Sequence, residues 1–454
     1  MACILMLCHD QHLDRRVVAQ AVTLILQQHS VRLLALSFDK QTTHELTAEG
    51  IQLTRIGLDH IVPENPTYKG YMKRQYKLNT FLNWRVNRRA FVHKISQRLF
   101  TYASHLNWNL YKALLLLRYQ NRMLHDPLPF RQAFVKHGLE FPSDLVQVHD
   151  LPALEAGAEL AAKWNVPLAY DAHELYPEQK TFSRAQRKIC SESEARHIKK
   201  ANVVFAVNDS IAQEMAQRYQ IDTPVTLLNA IDPPPEFKPE VRYDLLREKL
   251  NISAKRRILL FQGGFSPYRN LENLIAAISL VKTKDIDLVM MGFGSFGELL
   301  KKKSLSLGLL GSRIYFLEAV PQSELLQHSA SADIGIIPYP HVDLNSYYCT
   351  PNKLFEFIQA GLPILANDSP ELNRFVRKKD FGMTRKMNTP HQIAEAIDIA
   401  FSAIALKTWK KNLEENRVTL TWQTQKKIYS ETLEKHISPN TDHAVRPTTP
   451  AANF

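Results

Sequence analysis

Cysteine is scarce in this chain of 454 residues, which has four, at positions 3, 8, 190 and 349. Such scattered positions suit neither a zinc site nor a disulfide framework, so a reducing compartment is the expected setting. Long apolar runs are missing as well. Residues 3 to 8 are apolar, but that run is far below the roughly 20 residues a membrane span needs, and it lacks a basic start and a small-residue cleavage site. The opening βαβ pattern has no GxGxxG turn, which argues against a dinucleotide fingerprint and a bound NAD. RRM, KH and helix-turn-helix signatures are absent, so nucleic acid is not an expected partner. No repeat of 20 to 50 residues is visible. Acidic residues are scarce over 61–140, where 14 Lys and Arg face 3 Asp and Glu, so nearly all of the formal +12 resides there.

What is present fits a soluble α/β protein, with 45% hydrophobic and 22% charged residues and length enough for two sizeable cores. CILMLC reads as a first strand ending in His9-Asp10, VVAQAVTLILQQ as an amphipathic helix, and VRLLALS as the next strand. Asp14 and Arg15 are either a substrate contact or a helix cap with a surface charge, and the cap is the favoured reading. Across 61–140 the basic residues interleave with Tyr68, Tyr71, Phe81, Trp84, Phe91 and the run Ala113 to Leu117. This mixture predicts a basic helical insertion on an anionic membrane surface, each charge contributing on the order of 1 kcal/mol. The bland alternative is a helical insertion packed on the first domain, its arginines snorkelling over the edge.

After that segment the doubly wound rhythm resumes. LVQV ends in His149-Asp150, a helix follows, and PLAY ends in Asp171-Ala172-His173-Glu174, so polar clusters close two consecutive strands. A helix over 185–200, the strand VVFAV and a helix capped by Asn208-Asp209-Ser210 come next. Pro233, Pro234 and Pro235 exclude helix and mark the joint between a first domain, 1–235, and a second, 236–404. Residues 405–437 carry charge and aromatics at helical spacing, and 438–454 has the composition of a disordered tail.

The stretch that organises the rest is YYCTPNKLFEFIQAGLPILANDSPE, Tyr347 to Glu371. Thr350 as N-cap, Pro351 at the first helical position and Gly361 past the end bracket a helix of about ten residues. Leu354, Phe355, Phe357 and Ile358 form an apolar arc, while Asn352, Glu356 and Gln359 share the opposite face, which aims Glu356 away from the core. The buried strand Leu362 to Ala366 follows and places the helix start near the carboxyl edge of a parallel sheet. A second stretch has the same form: the strand Ile258 to Gln262, the turn Gly263-Gly264, Arg269, and the helix LENLIAAISLV. Free amide hydrogens, a helix dipole and a cation make an anion site, and two such helix starts in one domain point to a diphosphate.

In order, GGFSPYRNLENLI, LVMMGFGSFGELL, VPQSELLQHSASADIGIIPY and PNKLFEFIQAGLPIL resemble the donor-binding half of the retaining GT-B glycosyltransferases. That family includes bacterial polysaccharide and phosphatidylinositol mannosyltransferases. The resemblance implies two Rossmann-like doubly wound domains facing a central cleft, with a C-terminal helix that crosses back to the first. It implies that Glu356 holds the ribose of a nucleotide sugar, that the amides of Asn352 and Lys353 meet the distal phosphate, and that Arg269 neutralises the departing diphosphate. Gly263 and Gly264 would line that pocket, Phe293 and Gly294 would meet the nucleotide, and Val320 would border the base. DLVQVHDLP is similar to the family segment whose histidine lies beside the transferred sugar, which makes His149 a positioning residue. YDAHELYPEQ is similar to a segment of the same subgroup.

Two positions depart from the family pattern. Tyr348 stands where the first of two glutamates separated by seven residues belongs. Gly264 takes the arginine position of the phosphate clamp and Arg269 the lysine position, leaving Lys353 to supply the second charge. The implied function is metal-independent, retaining transfer of a sugar from a nucleotide-sugar co-substrate to a polysaccharide or lipid-linked acceptor at the cytoplasmic membrane face. No DxD motif or other cofactor signature stands out. The alternative is a GT-B subunit that lost catalysis with its first glutamate and serves as a membrane-bound scaffold. An epimerase of the same fold is weighed against by the PNKLFE helix and the basic segment.

Overall fold

The computed structural model describes residues 1–37, 39, 41–57, 73–75, 77–78, 101–111, 113–114, 127–402 and 405–437. Much of the basic stretch over 61–140 and all of the expected tail lie outside them. The chain forms two compact α/β units, the first holding residues 1–170 and 182–201 and the second 171–181 and 202–438. Among the described residues no helix is long and apolar enough to cross a membrane.

In the first unit the opening apolar run becomes β1 (Cys3–Cys8), with parallel neighbours on both sides. These are β2 (Ser30–Leu36) and β5 (Leu145–His149), while β3 (Thr43–Leu46) and β4 (Gln52–Ile56) extend the sheet beyond β2. Leu5, Met6, Leu7 and Cys8 are fully buried, as expected for a central strand covered on both faces. Asp14 caps the helix Arg15–Leu26 by accepting from the Arg16 amide at 2.7 Å, which is the structural role preferred above. The same unit contains the helix Leu151–Trp164, which follows β5 directly, and the helix Arg184–His197.

The second unit pairs β7 (Val203–Ala206) with β8 (Val225–Thr226) in parallel. Asn208 caps the following helix, Asp209–Tyr219, through its side chain. The C-terminal helix Trp422–Glu434 packs on this part of the unit, with Tyr429 5.6 Å from the ring of Phe205 and Gln425 accepting from the Leu228 amide at 2.9 Å.

The six-stranded sheet of this unit is all parallel. Its strands are β9 (Arg257–Gln262), β10 (Ile286–Gly292), β11 (Ile314–Glu318), β12 (Ile334–Ile337), β13 (Ile364–Asn367) and β14 (Gly382–Arg385), in the order β11-β10-β9-β12-β13-β14. Alternate residues feed two cores. Ile258, Leu260, Val289 and Met291 belong to one, packed under the helix Asn352–Gln359. Leu259, Phe261, Leu288 and Met290 belong to the other, packed under the helix Leu271–Leu280. That period of two inside an unbroken apolar run marks a doubly covered sheet.

The Asn352–Gln359 helix is seated closely on its sheet, because a Cβ placed on Gly335 of β12 would come within 2.6 Å of the Phe357 ring. Overpacking of this kind costs about 1–3 kcal/mol. Gly335→Ala is therefore expected to lower the unfolding free energy by about that amount in urea titration, and an unchanged midpoint would contradict the packing.

Candidate functional site

The strand order reverses between β9 and β12, which are neighbours in the sheet. At such a switch point the helices after adjacent strands leave on opposite faces and open a crevice at the carboxyl edge. The two helix starts singled out from sequence border this edge, one following β9 and the other following β12. Neither has a side-chain cap: Asn270 before Leu271 and Pro351 before Asn352 make no capping bond. The turn after β9 is shaped by Gly263, at φ +114°, and by left-handed Tyr268 and Asn270, at φ +66° and +62°. Non-glycine residues in that region cost of order 1 kcal/mol or more, and here the Asn270 side chain offsets it by donating to the carbonyls of Pro338 and Met387 at 3.0 and 2.6 Å.

A buried polar chain crosses the switch point. Ser329 Oγ donates to Gln262 Oε1 at 2.6 Å, and Gln262 Nε2 donates to Glu356 Oε2 at 2.5 Å. The last residue of β9 thus fixes the carboxylate of a helix on the other side of the switch. Glu356 is only 8% exposed.

Two cations meet the glycine turn. Arg269 Nη1 donates to the Gly264 carbonyl at 3.0 Å. Lys353 Nζ donates to the Tyr339 hydroxyl at 2.7 Å and stands 3.9 Å from the centre of the Phe261 ring and 4.7 Å from that of Tyr339. A Cβ on Gly263 would sit 3.4 Å from Lys353 Nζ and 3.9 Å from Arg269 Nη1, both ordinary contact distances, so it is the φ of +114° rather than crowding that calls for glycine beside the two cations. Burial holds the Lys353 amine well below the ordinary lysine range, and the Arg269 charge adds to the effect while Glu356 opposes it. Burial also raises the Tyr339 hydroxyl above the tyrosine range, and it pushes the neighbouring Cys349 thiol up to about 12.

The structure therefore brings Gly263, Gly264, Arg269, Lys353 and Glu356 together. Phe293 and Gly294 border the same turn, since Phe265 N donates to the Phe293 carbonyl at 2.5 Å and a Cβ on Gly294 would lie 2.5 Å from the Phe265 carbonyl oxygen. Phe293 is 67% exposed. Val320 packs, partly buried, against the core that holds the Asn352–Gln359 helix. Asn352 Oδ1 accepts from Asn229 Nδ2 at 2.6 Å. His149 belongs to the first unit, where it is buried at the end of β5 with Gln147 Nε2 3.5 Å from its own Nε2.

Two expectations are corrected. The helix begins one residue later, with Pro351 as the cap residue and eight residues in all; Thr350 instead accepts from Asn208 Nδ2 at 3.3 Å. Glu356 and Gln359, which helical spacing puts on the face turned away from the core, are not open to water. Both are buried because polar partners cover them, Gln262 for the first and the carbonyls of Arg417 and Leu420 for the second. Gln262, Ser329 and Tyr339 were not singled out from sequence as site residues. For Gln262 and Tyr339 the available signal was a polar or aromatic residue at a strand end beside the glycine turn or a proline; Ser329, inside the helix Leu325–Ala330, offered none.

The unfolded chain keeps Lys353 protonated up to about pH 10.4. Because its folded value is lower, the unfolded state binds more protons between the two values, and stability rises with pH there. Lys353→Met removes this penalty. At neutral pH the variant is expected to be at least as stable as the wild type, with its advantage shrinking as pH approaches 10; a pH-independent difference in urea midpoint would contradict a depressed lysine.

Sequence and fold comparisons bear on the family and the fold. Residues 13–229 match the family described as glycosyl transferase 4-like domain, and residues 256–402 match glycosyl transferases group 1. D-inositol 3-phosphate glycosyltransferase from Corynebacterium glutamicum (strain R) is 24% identical over 274 residues, which cover 56% of this chain and 63% of that relative. Among solved structures, sucrose-phosphate synthase from Thermosynechococcus elongatus aligns over 96% of this chain and 99% of its own, with a TM-score of 0.67 at 16% identity. Anabaena HepE, solved in complex with UDP and glucose, aligns over 96% of this chain and 100% of its own, with a TM-score of 0.61 at 15% identity. Two family profiles in sequence order, on two parallel-sheet α/β units, show that the chain belongs to the group 1, family 4-like glycosyltransferases of GT-B fold.

Proposed function

We propose that the protein transfers a sugar from a nucleotide-sugar donor to a polysaccharide or lipid-linked acceptor, with retention of anomeric configuration. The observation that carries this reading is the pair of uncapped helix starts at one switch point, with Arg269 and Lys353 on the glycine turn between them. Fixed amides and two cations in a largely buried pocket stabilise a diphosphate as it leaves, and they need no reorganisation to do so. Glu356, oriented by Gln262, holds the ribose hydroxyls. The resemblance assigns His149 a place beside the transferred sugar. In this reading charge neutralisation falls to Arg269 and Lys353 rather than to a metal. UDP is bound in a structure of Anabaena HepE, which makes uridine nucleotides the first to try.

Glu356→Ala and Arg269→Ala are each expected to weaken UDP or GDP binding, by about tenfold or more where a charged hydrogen bond is lost. Thermal-shift titration checks this, and unchanged affinity in both variants would rule out the pocket. Slow release of free sugar from UDP- or GDP-sugars by the wild type separates an enzyme from a binding subunit, since a scaffold releases none.

We place the acceptor at the cytoplasmic face of a membrane, reached through the basic stretch over 61–140. Of its described residues, Tyr102, Leu106 and Leu110 recur every fourth position of one helical segment and are 68%, 53% and 47% exposed, as a face that meets lipid requires. Sedimentation with anionic vesicles is expected to carry the protein down at low salt and less of it at high salt; no binding at either would defeat the lipid contact.

A further inference from the structure

The second unit holds a carboxyl group that the diphosphate pocket does not use. Glu174 lies just beyond β6 (Leu168–Ala172) and is partly exposed. Its Oε1 accepts from Gln179 Nε2 at 2.6 Å and its Oε2 from Asn345 Nδ2 at 2.7 Å. Asn345 Oδ1 in turn accepts from the Leu175 amide at 3.0 Å, so one asparagine of the short helix Leu344–Tyr348 fixes both the backbone and the side chain of this segment. Both bonding partners are neutral amides. Enclosure by the protein raises the carboxyl above the usual range, against the pull of Asn345, His173 and Gln179. Holding a carboxylate this way, without a cation bonded to it, is costly.

The place of this group gives it a use. The Leu344–Tyr348 helix leads directly into Cys349 and the Asn352–Gln359 helix. Glu174 is therefore bonded to the segment that runs into the helix start carrying Lys353, the residue that faces the glycine turn. A carboxylate has roughly four acceptor positions, and the two amides occupy two. What remains suits neutral hydroxyl donors and repels phosphate.

We infer that Glu174 accepts hydrogen bonds from hydroxyl groups of the donor's sugar and so acts as a specificity-determining residue for that sugar. The inference rests on the nucleotide-sugar reading and extends it from the diphosphate to the glycosyl group. Gln179 and Asn345 are the residues that position it.

The test is calorimetric titration of wild type, Glu174→Ala and Glu174→Gln with UDP, GDP, UDP-glucose and GDP-mannose, beside donor hydrolysis and a thermal melt of each variant. For whichever nucleotide the wild type binds, both variants are expected to keep its affinity within about twofold. Affinity for the matching nucleotide sugar, or its hydrolysis, falls about tenfold or more in Glu174→Ala and less in Glu174→Gln, which keeps one acceptor. Equal losses for nucleotide and nucleotide sugar would show a merely structural clamp, and no loss for the nucleotide sugar would overturn the assignment. If the wild type bound no nucleotide at all, the diphosphate reading would fall first and this inference with it.

Discussion

A buried lysine amine set against two aromatic rings and bonded, among the described residues, to a tyrosine hydroxyl is the constraint on which the second unit's chemistry turns. Lys353 is buried, and a second cation, Arg269, shares the glycine turn with it. Burial and the Arg269 charge both disfavour a charged Lys353, Glu356 opposes them, and an incoming anion would add to that relief. In the proposed donor reading, a diphosphate is the anion that supplies this relief.

The rest of the unit holds that arrangement in place. Doubly alternating strands supply two cores, so helices cover both sheet faces and their first turns converge where β9 meets β12. Ser329, Gln262 and Glu356 lock one wall through bonds between residues far apart in sequence. Gly263, at φ +114°, turns the chain beside Lys353 and Arg269. Preorganisation of this kind lets charge stabilisation act without moving the protein.

Much of this was legible from residues alone. The strand from Ile258 to Gln262, the glycine turn, Arg269 and the helix behind it follow from apolar runs and turn chemistry, and the structure reproduces them. Gly361 takes the left-handed conformation that its place after a helix demands. The environment of Glu356 was not legible. Helical spacing separates polar from apolar faces, but it cannot tell water from a buried glutamine 94 residues away in the chain. The cap was missed for a similar reason: Thr350 has a good capping side chain, yet Asn208 engages it and the helix starts after Pro351. Tyr339 closes an apolar strand, and nothing in its local sequence marks it as the partner of Lys353.

Burial disfavours the charged form of Lys353 and an arriving phosphate opposes that, so nucleotide binding raises its proton affinity and takes up protons where the free lysine has begun to deprotonate. Calorimetry of UDP and GDP binding at mildly alkaline pH, in two buffers of different ionisation enthalpy, measures that uptake directly. The account predicts net proton uptake by the wild type and its loss in Lys353→Met. Tight nucleotide binding with no proton exchange would contradict it.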